Sequence, residues 1–159
     1  MLKVLSASSV EPETQALGPA PDPAAGSGAR VLVVEDDSTN RMLATNILKR
    51  NGYSVAIARD GVEAVDMCTQ ESFDLILMDV QMPNMNGLEA TGAIRKLEVA
   101  RGRHTPILAL TAHAMEGDRE RCVQAGMDDY MSKPIHAKDL LSKIKTLIAL
   151  DGLRGRADA

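Results

Sequence analysis

Polar side chains follow short apolar runs at several places in this chain. Asp79 is the clearest case, because Leu75–Met78 precedes it and the turn-forming residues Pro83, Asn86 and Gly87 come soon after. A short apolar run bounded by turn residues is typical of a strand buried on both faces of a parallel sheet. Parallel sheets bind ligands at the carboxyl ends of their strands. Five residues occupy this position after a predicted strand: Glu35, Asp36, Asp79, Thr111 and Lys133.

Three of these residues are acids, and their chemistry points to a divalent cation. Two carboxylates 4 Å apart repel each other by about 4 kcal/mol at an effective dielectric constant near 20. Because carboxylate oxygens and water suit Mg²⁺, we expect Glu35, Asp36 and Asp79 to form a site for this ion. Lys133 and the Thr111 hydroxyl are then placed to hold phosphoryl oxygens. Asp79 is a candidate nucleophile, since a carboxylate can form an acyl phosphate.

The elements that must position these side chains alternate between strand and helix. Strands are predicted at 31–34, 54–58, 75–79, 107–111 and 130–132, each followed by a helical pattern. Asp37 or Ser38 is expected to cap the first helix, whose buried face includes Leu43, and Asp60 with Glu63 has the capping-box spacing before the second. This alternation predicts an α/β fold. Its five-stranded parallel sheet is doubly wound, in the strand order 2-1-3-4-5.

Composition divides the chain into three segments. Residues 1–28 are rich in Pro, Ala and Gly and cannot bury enough apolar surface to fold, so they are predicted to be a flexible linker or tail. Residues 29–150 carry all the regular patterns and are predicted to form one domain. Residues 151–159 are predicted to be a C-terminal tail.

Charge and hydropathy exclude several classes of protein. With 18 basic and 22 acidic residues the net charge is −4, which does not favour direct binding to nucleic acid. No apolar run approaches the roughly 20 residues of a membrane span, and no signal peptide is recognisable. The two cysteines, Cys68 and Cys122, are expected to be small buried apolar residues in a reducing compartment. We therefore expect a cytoplasmic protein.

The chain resembles the receiver domain of two-component response regulators over residues 30–148. The matching segments are Val33–Asp36, Leu77–Pro83, Asn86–Gly87, Ala109–Ala112, Ala125–Gly126, Asp128–Tyr130 and Lys133–Pro134. Two longer segments, Met82–Ala90 and Leu110–Met115, are similar to the receivers of hybrid sensor histidine kinases. The resemblance implies the flavodoxin-like receiver fold and a role in phosphorelay signalling.

Further roles for the acidic residues follow from the resemblance. It implies that Asp79 accepts a phosphoryl group from a phosphohistidine. Asp36 would bind Mg²⁺ directly and Glu35 mainly through water. The backbone carbonyl of Gln81 would complete the protein ligands.

The resemblance also assigns the residues that surround the phosphoryl group. Lys133 would pair with it, and Thr111 would hydrogen-bond to it. Tyr130 would be the switch aromatic that packs inward when Thr111 moves. The Lys133–Pro134 peptide bond would be cis. Gln81 and His113 would flank the path of the hydrolytic water and so tune the lifetime of the phosphoryl group.

The resemblance implies a histidine kinase or a His-containing phosphotransfer domain as phosphoryl partner. Output would use a surface on helix 4, strand 5 and helix 5, from a monomer or a phosphorylation-dependent dimer. The chain could be a piece of a hybrid histidine kinase or a stand-alone single-domain regulator. Receivers have only weak self-phosphorylation and autodephosphorylation activity, so whether this chain counts as an enzyme stays open.

Three other functions fit the predicted fold less well. Haloacid-dehalogenase-like phosphatases need a second Asp two residues after the nucleophile, and this chain has Gln81 there. Flavodoxin-like electron carriers need aromatic residues around the flavin, and this chain has no Trp and two Tyr. A scaffold that is never phosphorylated would not need the five polar residues.

Overall fold

The computed structural model describes residues 28–112 and 116–158, which form five strands and five helices in strict alternation. The strands are β1 (Arg30–Val34), β2 (Ser54–Ala58), β3 (Leu75–Asp79), β4 (Ile107–Thr111) and β5 (Asp129–Ser132). The helices are α1 (Ser38–Arg50), α2 (Gly61–Gln70), α3 (Gly87–Arg101), α4 (Glu116–Ala125) and α5 (Ala137–Asp158). Residues 1–27 of the predicted linker lie outside the described residues.

The strands form one parallel sheet in the order β2-β1-β3-β4-β5, which is the predicted order. The apolar side chains of β1, β3 and β4 are almost fully buried, since helices cover both faces of the sheet. This explains why these strands are continuous apolar runs instead of alternating ones. The predicted fold class is confirmed.

Two apolar cores form, one on each face of the sheet. One contains Leu48 from α1 and Ile144 from α5, and the other contains Ala64 from α2 and Ile94 from α3. Both cysteines are buried free thiols in or beside the second core, as expected, and burial raises the pKa of Cys68 to about 11. No helix among the described residues is long and apolar enough to cross a bilayer.

Side-chain caps fix the starts of α1, α2 and α3. Asp37 caps α1, and its carboxylate accepts from the N–H of Asn40 at 2.9 Å. Asp60 caps α2 as predicted, but Glu63 accepts from the Arg59 N–H, one residue before the cap. A reciprocal capping box occurs instead at the start of α3. There Asn86 accepts from the Glu89 N–H, and the Glu89 carboxylate accepts from the Asn86 N–H.

Two helical details differ from the sequence-based expectation. Leu43 is 41% exposed although it was expected on the buried face of α1. Since α1 covers the sheet with Ala44, Ile47 and Leu48, Leu43 falls on the flank of the helix. In addition α5 continues to Asp158, through residues expected to be a tail. Residues 151–158 contain no proline that would end the helix. The division of the chain into a linker, a domain and a tail stays a prediction.

Candidate functional site

The strand register brings the candidate site residues to one edge of the sheet. Val34 pairs with Met78, so Glu35 stands beside Asp79 at the ends of β1 and β3. Thr111 ends β4 and is buried, while Lys133 directly follows β5. Because parallel strands all finish at the same edge, residues 98 positions apart in the chain, such as Glu35 and Lys133, are within hydrogen-bonding distance.

Three acidic residues form a cluster at this edge. One carboxylate oxygen each from Glu35, Asp36 and Asp79 lies within 4.8 Å of the others. Glu35 and Asp79 are buried, whereas Asp36 is exposed. The cluster therefore has two buried carboxyl groups and one that is exposed to solvent.

Lys133 supplies the positive charge of the site. Its Nζ lies 3.2 Å from Glu35 Oε1 and 3.2 Å from Asp79 Oδ1. The Lys133 N–H donates to the Thr111 carbonyl at 2.8 Å, which ties the end of β5 to β4. The Lys133–Pro134 peptide bond is cis.

The buried carboxyl group of Asp79 is harder to ionise than that of an ordinary aspartate. Burial and the neighbouring Glu35 raise the pKa of Asp79 to about 7, although Lys133 acts in the opposite direction. Burial alone would lower the pKa of Lys133, but the charges of Asp79 and Glu35 raise it above its ordinary value. The site therefore keeps its ammonium group charged and destabilises the ionised form of Asp79.

Two buried carboxylate oxygens in this site have no hydrogen-bond partner within the described residues. They are Asp79 Oδ2 and Glu35 Oε1, the latter with the Lys133 ammonium nearby but without hydrogen-bond geometry. Buried polar atoms are rarely left unpaired in native proteins. Unsatisfied anionic oxygens beside a third carboxylate are suited to coordinating a hard cation.

The loop between β3 and α3 packs closely against the site. Gly87 starts α3, and a Cβ at this position would lie 2.2 Å from the Asp79 carbonyl oxygen. Asn84 has a positive φ of 67° and donates through Nδ2 to the Asp60 carboxylate at 2.9 Å, which joins the loop to α2. The sequence predicts a turn here, but no local pattern in it indicates these contacts.

The remaining candidate residues lie around the cluster. Gln81 is exposed, and its N–H donates to Asp79 Oδ1 at 3.2 Å. Tyr130 is half-buried against the second core, with the Arg119 guanidinium 5.7 Å from its ring centre. Tyr130 also lines an open groove of about 570 Å³ beside β5 and α5. His113 lies outside the described residues.

Two known proteins match this chain over about three quarters of its length. The chain is 46% identical over 124 residues to the hybrid signal transduction histidine kinase I of Dictyostelium discoideum. This match covers 75% of this chain but only 7% of the kinase. It is 40% identical over 118 residues to the polar-differentiation response regulator DivK of Brucella ovis, covering 74% of this chain and 94% of that protein. This chain thus spans a small part of the kinase and nearly all of the regulator.

Two solved structures with this fold are informative about the site. The receiver domain of sensor histidine kinase PA1611 from Pseudomonas aeruginosa, with magnesium in its active-site cleft, matches with a TM-score of 0.71 and 40% identity, over 77% of this chain and 98% of that one. The receiver of Ssk1 from Saccharomyces cerevisiae, crystallised with the phosphotransfer protein Ypd1, matches with a TM-score of 0.73 and 31% identity, over 77% and 90%.

The family assignment rests on nearly the whole folded region. The sequence profile described as the response regulator receiver domain matches residues 31–145. These residues run from the second residue of β1, through the acidic pair that follows it, into α5. The predicted resemblance is confirmed, and the chain belongs to the response regulator receiver domain family.

Proposed function

We propose that this domain accepts a phosphoryl group from a phosphohistidine onto Asp79. The observation that supports this most directly is the state of the Asp79 carboxylate. Its Oδ1 is 3.2 Å from Lys133 Nζ and from the Gln81 nitrogen, whereas its Oδ2 is buried without a hydrogen-bond partner. Such an oxygen is oriented by its neighbours and keeps a lone pair for bond formation.

The donor set fits Mg²⁺, as in the Pseudomonas receiver. We propose that Asp36 and Asp79 bind the ion directly and that Glu35 acts mainly through water. The Gln81 carbonyl would complete the protein ligands. The bound ion would neutralise the carboxylates and the phosphoryl oxygens, which is the main electrostatic requirement of phosphoryl transfer.

Phosphoryl transfer would break the P–N bond of the phosphohistidine and form a P–O bond to Asp79. The imidazole leaves with the electron pair of the broken bond. Lys133 is placed to pair with the phosphoryl oxygens because its ammonium already lies beside Asp79. Thr111 would contribute a hydrogen bond from the neighbouring strand end, since it finishes β4 next to β3.

We propose that the surface formed by α4, β5 and α5 reports phosphorylation. Movement of Thr111 would be followed by Tyr130, which is half-buried on β5 and lines the groove beside α5. A modification shifts such an equilibrium only by its different stabilisation of the two states. Gln81 and His113 are proposed to tune the lifetime of the aspartyl phosphate.

The phosphoryl partner is proposed to be a histidine kinase or a His-containing phosphotransfer domain, as the Ypd1 complex of the yeast receiver suggests. A hybrid histidine kinase is the preferred parent, given the identity to the Dictyostelium kinase. A single-domain regulator is the second candidate, which DivK favours by matching over almost its whole length. We also propose a cytoplasmic location and a monomer or a phosphorylation-dependent dimer.

Intact-protein mass spectrometry would test the phosphoacceptor. The domain is incubated with a small acyl phosphate and Mg²⁺, for the wild type, Asp79→Asn and the exposed α2 variant Asp66→Asn. We expect one phosphoryl adduct on the wild type and Asp66→Asn, and none on Asp79→Asn. Equal labelling of Asp79→Asn would exclude Asp79 as the acceptor, and transfer in excess chelator would contradict the role of Mg²⁺.

A further inference from the structure

Arg41 contacts the main chain of Glu35 and Asp36. This half-buried residue is in the first turns of α1, and its Nη1 donates to the carbonyl of Glu35 at 3.0 Å and of Asp36 at 3.3 Å. One guanidinium nitrogen therefore bridges the two consecutive carbonyls of the acidic pair. No sequence motif of the site indicates this contact of Arg41.

The segment that Arg41 holds carries two of the three carboxylates. Glu35 is also held by other bonds, because its N–H donates to Ala58 at 3.1 Å and its Oε2 accepts from the Asp37 N–H at 3.2 Å. Asp36 is exposed and lies between Glu35 and the helix cap. The direction in which the Asp36 side chain leaves the backbone thus depends on the peptide planes on either side of it, and Arg41 binds the carbonyl of both.

We infer that Arg41 is a positioning residue for the cation site, an inference that depends on the proposed Mg²⁺ function of the cluster. Its guanidinium fixes the carbonyls of Glu35 and Asp36 and so aims the carboxylate of Asp36 at the carboxylate of Asp79. Mg²⁺ requires near-ideal octahedral geometry, so a small rotation of one ligand weakens binding. Residues that orient metal ligands commonly affect affinity about tenfold or more.

The positive charge of Arg41 and its positioning role have opposite effects on Mg²⁺ affinity. The direction in which Kd changes when Arg41 is replaced therefore distinguishes the two. If Arg41 acted only through its charge, removing it would strengthen cation binding, because like charges repel. If it acts by fixing the loop, removing it weakens binding despite the lost repulsion. A lysine at this position keeps the charge but not the planar guanidinium that bridges two carbonyls.

Arg101 offers a matched control at the opposite edge of the sheet. It also donates to two consecutive carbonyls, with Nη1 to Cys68 at 2.6 Å and Nη2 to Thr69 at 2.8 Å. These contacts join the end of α3 to the end of α2, far from the acidic cluster. Arg101→Met removes the same charge and the same kind of contact.

Calorimetric titration of the metal-free domain with Mg²⁺ would test the inference. We expect Kd to rise about tenfold in Arg41→Met, to rise at least as much in Arg41→Lys, which keeps the repulsive charge but loses the bridging guanidinium, and to stay unchanged in Arg101→Met. The Asp37 amide, which donates to Glu35 Oε2, should shift in ¹⁵N spectra of both Arg41 variants but not of Arg101→Met. Arg41→Lys also serves if Arg41→Met fails to fold.

The outcomes separate this inference from the proposed function. Unchanged or tighter Mg²⁺ binding in both Arg41 variants, with normal binding by the wild type, would overturn the positioning role alone. An equal loss in Arg101→Met would also overturn it, since the effect would then be general destabilisation. A wild type that binds no Mg²⁺ would contradict the metal function itself.

Discussion

At the scale of the residue, the acidic cluster is a source of instability as well as a site. Glu35 and Asp79 are both buried, and Lys133 is the cation that lies beside both. The raised pKa of Asp79 expresses the free-energy cost of placing a second charge there. A cation bound at this site would offset this cost by neutralising the carboxylates.

The raised pKa of Asp79 makes the free energy of unfolding depend on pH, and its contribution decreases as pH rises. The unfolded chain ionises Asp79 near 3.8, while the metal-free folded domain ionises it near 7. The stability associated with the protonated carboxyl is therefore present below about pH 4 and is lost as pH rises to about 7. We expect Asp79→Asn to be more stable than the wild type by about 1–3 kcal/mol at pH 8 in chelator, and by much less at pH 4.

Urea denaturation at the two pH values would measure this difference, with Asp66→Asn as the exposed control. Mg²⁺ should narrow the difference at pH 8, because it stabilises the ionised wild-type site. A pH-independent gap, or a less stable Asp79→Asn, would contradict the assignment of the cost to Asp79.

At the scale of the element, close backbone packing sets the path from β3 to α3. The Gly87 N–H donates to the Val80 carbonyl at 2.9 Å, and the helix starts directly against the end of the strand. The Asn86–Glu89 capping box then satisfies the first N–H groups of α3. The loop thereby holds the Gln81 main chain close to the Asp79 carboxylate.

Gly87→Ala should disrupt this packing. The added Cβ would lie 2.2 Å from the Asp79 carbonyl oxygen and 3.0 Å from Met78 Cγ, so strand and helix would have to separate. We expect a loss of at least about 2 kcal/mol in unfolding free energy, measured by urea denaturation. Phosphoryl labelling of Asp79 should also slow.

Gly92 in the same helix provides the control. A Cβ there meets nothing within 4 Å, so Gly92→Ala should stabilise the domain by about 0.5–1 kcal/mol through helix propensity. If Gly87→Ala behaves like Gly92→Ala, close packing does not explain the glycine at position 87.

At the scale of the whole molecule, the two edges of the sheet have different electrostatics. At the carboxyl edge, three carboxyl groups are clustered and Lys133 is the cation that lies beside Glu35 and Asp79. Beside the start of β4, by contrast, the guanidinium of Arg95 has a partner for each of its nitrogens. Arg95 binds the carboxylates of Glu98 and Asp128 and the carbonyls of Thr105 and Gly126. The network joins α3 to the segments before β4 and β5.

Arg95→Met should destabilise the domain without altering the acidic site. It would leave Glu98, which is 6% exposed, and Asp128 without their main cation. Removing one partner of a buried ion pair costs about 3–5 kcal/mol. The exposed pair between Arg121 and Asp118 is the control, and Arg121→Met should cost less than about 1 kcal/mol. Equal effects of the two variants on urea denaturation would contradict this view.

The sequence by itself determined the order of the elements and the ends of the strands. Apolar runs, caps and turn residues are local features, and Asp79 and Thr111 end their strands where these patterns end. Because consecutive parallel strands share one edge, the convergence of Glu35, Asp79 and Lys133 also followed from local information. The family resemblance added their proposed roles.

Only the tertiary structure decided the environments of these residues. The raised pKa of Asp79 depends on burial and on the distance to Glu35, which lies in another strand. The Arg95 network and the contact of Gly87 with β3 join residues that no short pattern relates. Arg41 is five residues from Asp36, yet its contact depends on a rotamer and on the entry angle of α1. Sequence periodicity specifies which face a residue occupies, whereas distances between side chains arise only when the elements pack.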